Sequence, residues 1–279
     1  MRDYLAFKAD LRDPATVSAY DELPLWSAMF GLLLLKHVKL RPNMKVVDVG
    51  SGTGFPLLEL ASRLGPTSTV FGVDLWGTAL ERARQKARVA NVSNVEIREG
   101  DAAALPFGDG EIDLVVSNLG INNFTDPAAV LSECRRVLKP SAPIALTTNL
   151  RGHMSEFYEV FRETLRALGN EPALSALEAH INARATVEEI SALFARAGFT
   201  LTKVHEEVAS MRFVDGSALL RHYFIKLGFL DGWKAVILPE DQEAVFSLLE
   251  ANLNRLSEAK GELFLTIPMA YIEGAKPPR

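Results

Sequence analysis

Residues 45–149 alternate short β-rich runs with segments of helical periodicity, and this alternation constrains the fold more than any other feature of the sequence. The apolar runs predict five strands, at residues 45–50, 69–74, 95–98, 112–117 and 143–148. The segments between them predict helices, among them 55–64, 76–90 and 126–138. Because strands joined through helices pair in parallel with right-handed crossovers, the pattern predicts a doubly wound α/β sheet.

The flanking segments extend this scheme. An apolar helix is expected at residues 25–38, and three more helices at 156–168, 172–183 and 187–197, the last opened by a capping box of Thr186 and Glu189. Two further strands are expected at 199–208 and 263–271. Between them, residues 211–261 carry two helical patterns, the first from Ser217 to Leu227. We therefore expect one domain over 1–279, with an N-terminal helical cap (1–44), a core (45–150) and a helical insertion (211–261).

Composition excludes several classes of protein. Of the 279 residues 48% are hydrophobic and 23% charged, and the net charge is −5, whereas a non-specific nucleic-acid binder needs a basic surplus. The single cysteine can form neither an internal disulfide nor a thiolate metal cage, and we expect no metal. The most apolar stretch, residues 23–35, is too short to span a bilayer, and no secretory signal is evident. These features favour a cytoplasmic protein with no nucleic-acid partner.

A glycine-rich turn follows the first predicted strand, in the segment Asp48-Val49-Gly50-Ser51-Gly52-Thr53-Gly54. Glycine allows φ > 0 there and lets a ligand approach the backbone, while the free N–H groups of the next helix favour an anionic group. A dinucleotide fingerprint G-x-G-x-x-G would need glycine where Phe55 stands. The spacing therefore disfavours a nicotinamide dinucleotide, although a merely tight strand-to-helix turn stays an alternative.

Two acidic residues follow the next two strands. Asp74 ends the second strand, where a carboxylate can accept both hydroxyls of a ribose, and Asp101 follows the third, where it can accept a hydrogen bond from an exocyclic amine. Either residue alone is explained equally well as a cap or a solvated side chain. Since the carboxyl ends of parallel strands line one crevice, Asp48, Asp74 and Asp101 together predict a nucleotide site.

As a set, these motifs resemble the class I S-adenosylmethionine (SAM)-dependent methyltransferases, most closely the small-molecule enzymes of the ubiquinone/menaquinone-biosynthesis type. The resemblance covers roughly residues 20–149. It also includes Leu105-Pro106-Phe107, Ile112 to Val116 and Arg136 to Pro140. It implies a Rossmann-like seven-stranded sheet whose last strand is antiparallel, with SAM as the cofactor and S-adenosylhomocysteine as its product.

The resemblance also implies roles for individual residues. Asp48 belongs to the first motif, and Gly50, Ser51 and Gly52 should contact the amino-acid part of SAM. Asp74 should hold the ribose and Asn118 should approach the methionine part. The residues expected beside adenine or over the cofactor are Leu75, Trp76, Asp101, Ala102 and Tyr20. Trp26 is expected in the core.

The acceptor is less well defined by the sequence. Ser117 to Phe124 lacks the proline pair of amine-methylating nucleic-acid enzymes, which favours a small-molecule acceptor. Candidate acceptor-binding residues are Asn122, Asn123, His153, Tyr158 and His222, and His153 is also a candidate base. The insertion at 211–261 is interpreted as a lid over the acceptor, with a dimer contact or plain core support as alternatives. Two other functions stay open, a SAM-binding regulatory protein without catalysis and a nicotinamide-dependent oxidoreductase.

Overall fold

The computed structural model describes residues 2–278, which cluster into two compact units. We call residues 11–149, 186–207 and 269–278 the sheet unit, and residues 2–10, 150–185 and 208–268 the helical unit. Two of the boundaries between these units, after residues 207 and 268, fall within the last two strands of the chain. The single-domain organisation expected from the sequence stays a prediction.

The strands confirm the predicted sheet. They are β1 (Lys45–Val49), β2 (Thr69–Asp74), β3 (Val95–Glu99), β4 (Leu114–Asn118), β5 (Pro143–Asn149), β6 (Thr200–Phe213) and β7 (Leu263–Ala275). They lie in the order β3-β2-β1-β4-β5-β7-β6. The pairs among β1 to β5 are parallel, and β7 is antiparallel to β5, with Leu146 opposite Ile272. The fold is thus the Rossmann-like, mixed seven-stranded sheet that the resemblance implied.

The described part of the chain contains twelve α-helices, two before the first strand and the others between strands. They are α1 (Pro14–Glu22), α2 (Leu25–His37), α3 (Leu57–Leu64), α4 (Gly77–Val89), α5 (Pro127–Val137), α6 (Ser155–Ala167), α7 (Glu171–Asn182), α8 (Val187–Arg196), α9 (Gly216–Arg221), α10 (Tyr223–Gly228), α11 (Leu230–Ala235) and α12 (Gln242–Lys260). Thr186 and Glu189 form the predicted capping box of α8. Over residues 2–278, none of these helices is both long enough and apolar enough to cross a membrane.

The core of the sheet unit forms where α2 and α3 pack on the central strands. Leu34 of α2 and Leu57 and Leu60 of α3 are fully buried against Val46 and Leu114 of the sheet. Each such side chain contributes roughly 1.5–3 kcal/mol of hydrophobic stabilisation. Trp26 is buried as expected and packs on Phe30, with ring centroids 5.3 Å apart. This packing fixes the loops at the carboxyl ends of β1, β2 and β4.

Two expectations about elements were wrong, and one helix was not predicted. Helix α1 was not predicted, although Asp13 caps it by accepting hydrogen bonds from the backbone N–H groups of Ala15 and Thr16. Strand β6 continues to Phe213 instead of ending near residue 208. Residues 211–261 carry four helices, not two. The expected helix from Ser217 to Leu227 is interrupted at His222, whose ψ is 131°, and α11 is a further short helix before α12. Apolar spacing alone does not reveal a single extended residue between two short helices.

A buried carboxylate organises the helical unit. Glu250 of α12 is 5% exposed and accepts hydrogen bonds from Ser217 Oγ at 2.7 Å and Arg221 Nη1 at 2.6 Å. It also pairs with Arg2 and accepts from the Tyr4 hydroxyl at 3.2 Å. Burial raises the pKa of Glu250, but the hydrogen bonds and the two arginines outweigh it and hold the pKa below its ordinary value. The charged carboxylate therefore ties the first residues of the chain to α12 and α9.

We predict that Glu250→Gln lowers the free energy of unfolding by about 2 kcal/mol at neutral pH, because two arginines lose their counter-charge. The loss should shrink as the pH falls below about 4, since a depressed pKa stabilises the fold only while the group is ionised. Urea unfolding of the variant measures both effects, with Glu258→Gln, an exposed change on the same helix, as the control. Equal effects of the two substitutions would contradict this role for Glu250.

Candidate functional site

The turn between β1 and α3 has the backbone conformation that its glycines predict. Gly50, Gly52 and Gly54 have φ values of 77°, 50° and 96°, a region that residues with a Cβ rarely adopt. No atom lies within 4 Å of where a Cβ on Gly52 would be. The turn therefore combines a conformation that glycine permits with free space beside its backbone, as close approach of a ligand requires.

Asp48 lies fully buried in β1, between Gly72 of β2 and Val116 of β4. Within the described residues, neither of its carboxylate oxygens accepts a hydrogen bond of ordinary geometry, although the Leu57 backbone N–H lies near enough to lower its pKa. Burial, and then the charge of Asp74, outweigh that contact and raise the pKa of Asp48 to about 8. An acid with unused acceptor capacity thus lies directly beneath the turn, and a cationic group nearby would stabilise its charged form.

Asp74 links the second strand to the glycine turn. Its Oδ2 accepts a hydrogen bond from the Gly52 N–H at 2.8 Å, and its Oδ1 accepts one from the Trp76 N–H at 2.9 Å. A carboxylate has about four acceptor positions, so capacity for two hydroxyl donors remains. Asp74 is partly exposed, as a ribose-binding residue must be.

Aromatic and apolar groups lie on the same side as Asp74. The rings of Tyr20 and Trp76 are 5.5 Å apart, and the Trp76 indole N–H donates to the Leu11 carbonyl at 2.8 Å. Burial, followed by the charges of Asp74 and Asp21, raises the pKa of Tyr20. The effect of the Asp74 charge shows that Tyr20 lies near the residue expected to bind the ribose. The Leu75 side chain is exposed and follows Asp74 directly. These groups offer an apolar surface of the kind that a purine base covers.

The remaining adenine-side candidates lie on the loop after β3. Asp101 is exposed, and its Oδ1 accepts a hydrogen bond from the Ala103 N–H at 2.9 Å. Ala102 is partly buried beside it. The loop conformation thus leaves Asp101 accessible to an amine donor, and its contact with adenine stays a prediction.

Phe55 occupies the position where a dinucleotide fingerprint would have its third glycine. Its ring packs against Gly31 of α2, where an added Cβ would lie only 2.1 Å from Phe55 Cε1. The turn is therefore built around a large side chain at this position, which is incompatible with the close helix-to-strand packing that the third glycine allows in dinucleotide sites.

Uncharged side chains form hydrogen bonds at the carboxyl ends of β4 and β5. Thr147 Oγ1 donates to Asn118 Oδ1 at 2.8 Å, and Thr148 Oγ1 donates to Asn122 Oδ1 at 2.7 Å. Asn122 Nδ2 in turn donates to Asn149 Oδ1 at 2.9 Å. The structure thus brings Asn118 and Asn122 into one polar region of the sheet unit, whereas Asn123 is exposed.

Asn149 was missed by the sequence reasoning. It is 3% exposed, and its Nδ2 has no hydrogen-bond partner among the residues that the structure describes. The rule that singled out Asp74, a polar residue at the carboxyl end of a parallel strand, also applies to Asn149 at the end of β5. An unused donor in a buried position costs free energy unless a ligand or water satisfies it.

The other acceptor candidates belong to the helical unit. His153 is buried against Tyr158 and Phe229, and its Nδ1 has no partner within residues 2–278. Burial, followed by the charge of Arg184, lowers the pKa of His153 to about 4. His153 is thus neutral at pH 7 and a weaker base than free imidazole.

Tyr158 and His222 have identifiable contacts in the same unit. The Tyr158 hydroxyl accepts a hydrogen bond from the Trp233 indole N–H at 3.2 Å, and the His222 ring packs edge-on against Phe213. Burial lowers the pKa of His222. The acceptor-binding roles of His153, Tyr158 and His222, and the role of His153 as a base, stay predictions.

The residues of the sheet unit fit SAM. The unpartnered, buried Asp48 carboxylate suits a ligand with positive charge, and the free space beside Gly52 admits a ligand backbone. Ser51 Oγ is also buried without a partner in the described chain. Together with the accessible Asp74 and the exposed Leu75, these groups match the amino-acid, ribose and base portions of the cofactor.

Comparison with known proteins agrees with this geometry. The sequence profile of a family described as "Methyltransferase domain" matches residues 40–198. A demethylmenaquinone methyltransferase of Listeria monocytogenes is 30% identical over 178 residues, which cover 61% of this chain and 75% of that protein.

Solved structures share the fold at lower sequence identity. The YcgJ protein of Bacillus subtilis superposes with a TM-score of 0.58 at 17% identity, covering 90% of this chain and all of that one. A SAM-dependent methyltransferase of Aquifex aeolicus gives a TM-score of 0.54 at 21% identity, covering 69% of this chain and 91% of that one.

We predict that Asp48→Asn stabilises the ligand-free protein increasingly as the pH rises. Because burial raises the pKa of Asp48 in the folded state, folding retains a proton that the unfolded chain releases above about pH 4, and wild-type stability falls until about pH 8. Asparagine removes this titration. The difference in unfolding free energy between variant and wild type, measured in urea, should grow by a few kcal/mol from about pH 5 to about pH 8. A difference that is independent of pH would contradict the assignment.

Proposed function

This chain belongs to the methyltransferase-domain family, and from that premise we propose that it transfers a methyl group from SAM to a small molecule. The observation that carries the proposal is the buried, unpartnered carboxylate of Asp48 beneath a glycine turn with free space beside it. When bound, SAM supplies an electrophilic methyl group on a positively charged sulfur. The residues of the chain then have to bind, orient and exclude water.

The sheet unit divides these tasks among its loops. Asp74 holds the ribose through its free acceptor capacity while it fixes the turn through Gly52. Asp48 balances the positive charge of the amino-acid and sulfur portions from below the turn. Leu75 and Trp76 cover the base, and Tyr20 closes over the ribose beside Asp74. Because burial raises the pKa of Asp48, the positive charge of the bound cofactor has to favour loss of its proton. The other roles are binding and orientation, so catalysis rests mainly on alignment.

The polar network at the carboxyl ends of β4 and β5 supports a proposal for the acceptor class. Asn118, Asn122 and Asn149 are uncharged, and the free Nδ2 of Asn149 is a hydrogen-bond donor. Such a site favours an acceptor with a carbonyl, enol or phenol oxygen over a charged one, because a buried ion would find no opposite charge in this network. We propose an oxygen-bearing ring compound, methylated at oxygen or at an adjacent carbon. The relatives named demethylmenaquinone methyltransferases make a quinol the first acceptor to test.

Turnover separates this proposal from the alternatives. Purified protein is incubated with SAM and a panel of small quinols, phenols and aliphatic amines, and S-adenosylhomocysteine and methylated product are measured by mass spectrometry. Methylation of the oxygen-bearing compounds supports the proposal, and methylation of amines alone would contradict the acceptor class. Saturable SAM binding with no product from any acceptor would favour the regulatory alternative.

The lid and the base are further parts of the proposal. We propose that residues 211–261 cover the acceptor and that His153 contacts it, with Tyr158 and His222 as additional acceptor contacts. Because His153 is proposed to contact the acceptor and not the cofactor, His153→Gln should reduce turnover without lowering affinity for S-adenosylhomocysteine. An unchanged turnover would remove His153 from the acceptor site.

We predict that Asp74→Asn weakens binding of S-adenosylhomocysteine about ten- to a hundredfold, because charge-assisted hydrogen bonds to the ribose contribute roughly 1.5–3 kcal/mol. Isothermal titration calorimetry measures the change. Glu81→Gln, an exposed substitution on α4, is the control and should bind as wild type does. Equal affinities of Asp74→Asn and wild type, with unfolding confirming that both are folded, would contradict the assignment of Asp74.

A further inference from the structure

Two histidines and a glutamate come together in the sheet unit, in residues to which the proposed function gives no role. His37 ends α2, and His205 and Glu207 lie two residues apart on β6. Because side chains alternate across a strand, His205 and Glu207 project from the same face. One ligand atom from each of the three residues lies within 4.8 Å of those of the other two.

We propose that His37, His205 and Glu207 form a binding site for a divalent transition-metal cation such as Zn²⁺. Two imidazoles and a carboxylate are the ligand set that Zn²⁺ accepts in sites with an open fourth position. Ligand atoms about 2.0–2.2 Å from a tetrahedral metal lie about 3.3 Å apart, so the three side chains need to move by about 1.5 Å at most. Imidazole ligands favour transition metals over Mg²⁺ and Ca²⁺.

The geometry of the three side chains supports this assignment. The rings of His37 and His205 lie 4.3 Å apart, and His205 Nε2 is 3.0 Å from Glu207 Oε1. The Nε2 atom of His37 is buried and has no hydrogen-bond partner among residues 2–278. The side chains of His205 and Glu207 are 39% and 34% exposed, which leaves the cluster open to an ion from solvent.

Two lysines compete with a cation at this cluster. Lys203 Nζ lies 2.9 Å from His37 Nδ1, and Lys36 Nζ pairs with Glu207 Oε1 at 2.5 Å. Both lysine side chains are exposed and flexible, and Lys203 also lies over the Tyr271 ring, 5.5 Å from its centroid. A cation would therefore displace lysine ammonium groups that can move into water. Because of this competition, replacing a lysine should strengthen metal binding, whereas replacing a metal-binding side chain should weaken it.

The proposed metal site differs from the expectation, drawn from the sequence, that the protein binds no metal. That expectation rested on the single cysteine, which excludes thiolate sites but says nothing about imidazole and carboxylate ligands. The cluster was also invisible in the sequence, because His37 and His205 are separated by more than half of the chain. A bound cation would tie the end of α2 to β6 and stabilise the folded state.

Calorimetric titration of chelator-treated, tag-free protein with ZnCl₂ tests the proposal. We expect wild type to bind one ion per chain with a micromolar dissociation constant. His205→Gln should lose this binding, and Glu207→Gln should weaken it roughly tenfold or more. Glu206→Gln removes a carboxylate from the opposite face of the same strand and should leave it unchanged. Lys203→Gln should tighten binding about three- to tenfold, because it removes a competing positive charge.

Absorption of the Co²⁺-loaded protein and thermal unfolding complete the test. Wild type should show the visible bands of four-coordinate Co²⁺ and a midpoint that rises with added Zn²⁺, and His205→Gln should show neither. Absence of Zn²⁺ binding in wild type, equal binding in His205→Gln, or no change in Lys203→Gln would overturn the proposal. If His205→Gln is unfolded, His37→Gln takes its place in both measurements.

Discussion

The hydrogen bond from the Gly52 N–H to the Asp74 carboxylate holds the turn after β1 against the end of β2. The three glycines of the turn have positive φ, which glycine adopts without a Cβ clash, and the hydrogen bond fixes this one conformation of an otherwise permissive backbone. Asp48 lies buried beneath the turn, and the same Asp74 charge helps to raise its pKa. The residues proposed to bind the ribose and to balance the positive charge, Asp74 and Asp48, are thus coupled through one short loop.

Much of this loop could be predicted because its information is local. The spacing of Gly50, Gly52 and Gly54 requires a particular backbone, and the position of Asp74 at a strand end requires only that β1 and β2 be parallel neighbours. The same local rules gave the strands β1 to β5 and the capping box before α8. Local patterns are sufficient to predict an element when the residues that determine it are close together in the sequence.

Other features depend on contacts that no local pattern contains. The break at His222 preserves the apolar spacing of Leu219 and Phe224, so periodicity could not reveal it. The Glu250 cluster joins residues from opposite ends of the chain, and the cluster of His37 with β6 joins residues more than half of the chain apart. Asn149 differs from these, since the strand-end rule applied to it and was not carried to the last parallel strand.

The central claim is that this loop binds an S-adenosyl compound, SAM or S-adenosylhomocysteine, rather than a nicotinamide dinucleotide. Titration of the wild-type protein tests this claim most directly. Calorimetry with S-adenosylhomocysteine and, in parallel, with NADH measures the preference on one sample. The account predicts saturable binding of S-adenosylhomocysteine and no binding of NADH, because Phe55 fills the position of the third dinucleotide glycine. Saturable binding of NADH, with none of S-adenosylhomocysteine, would contradict it.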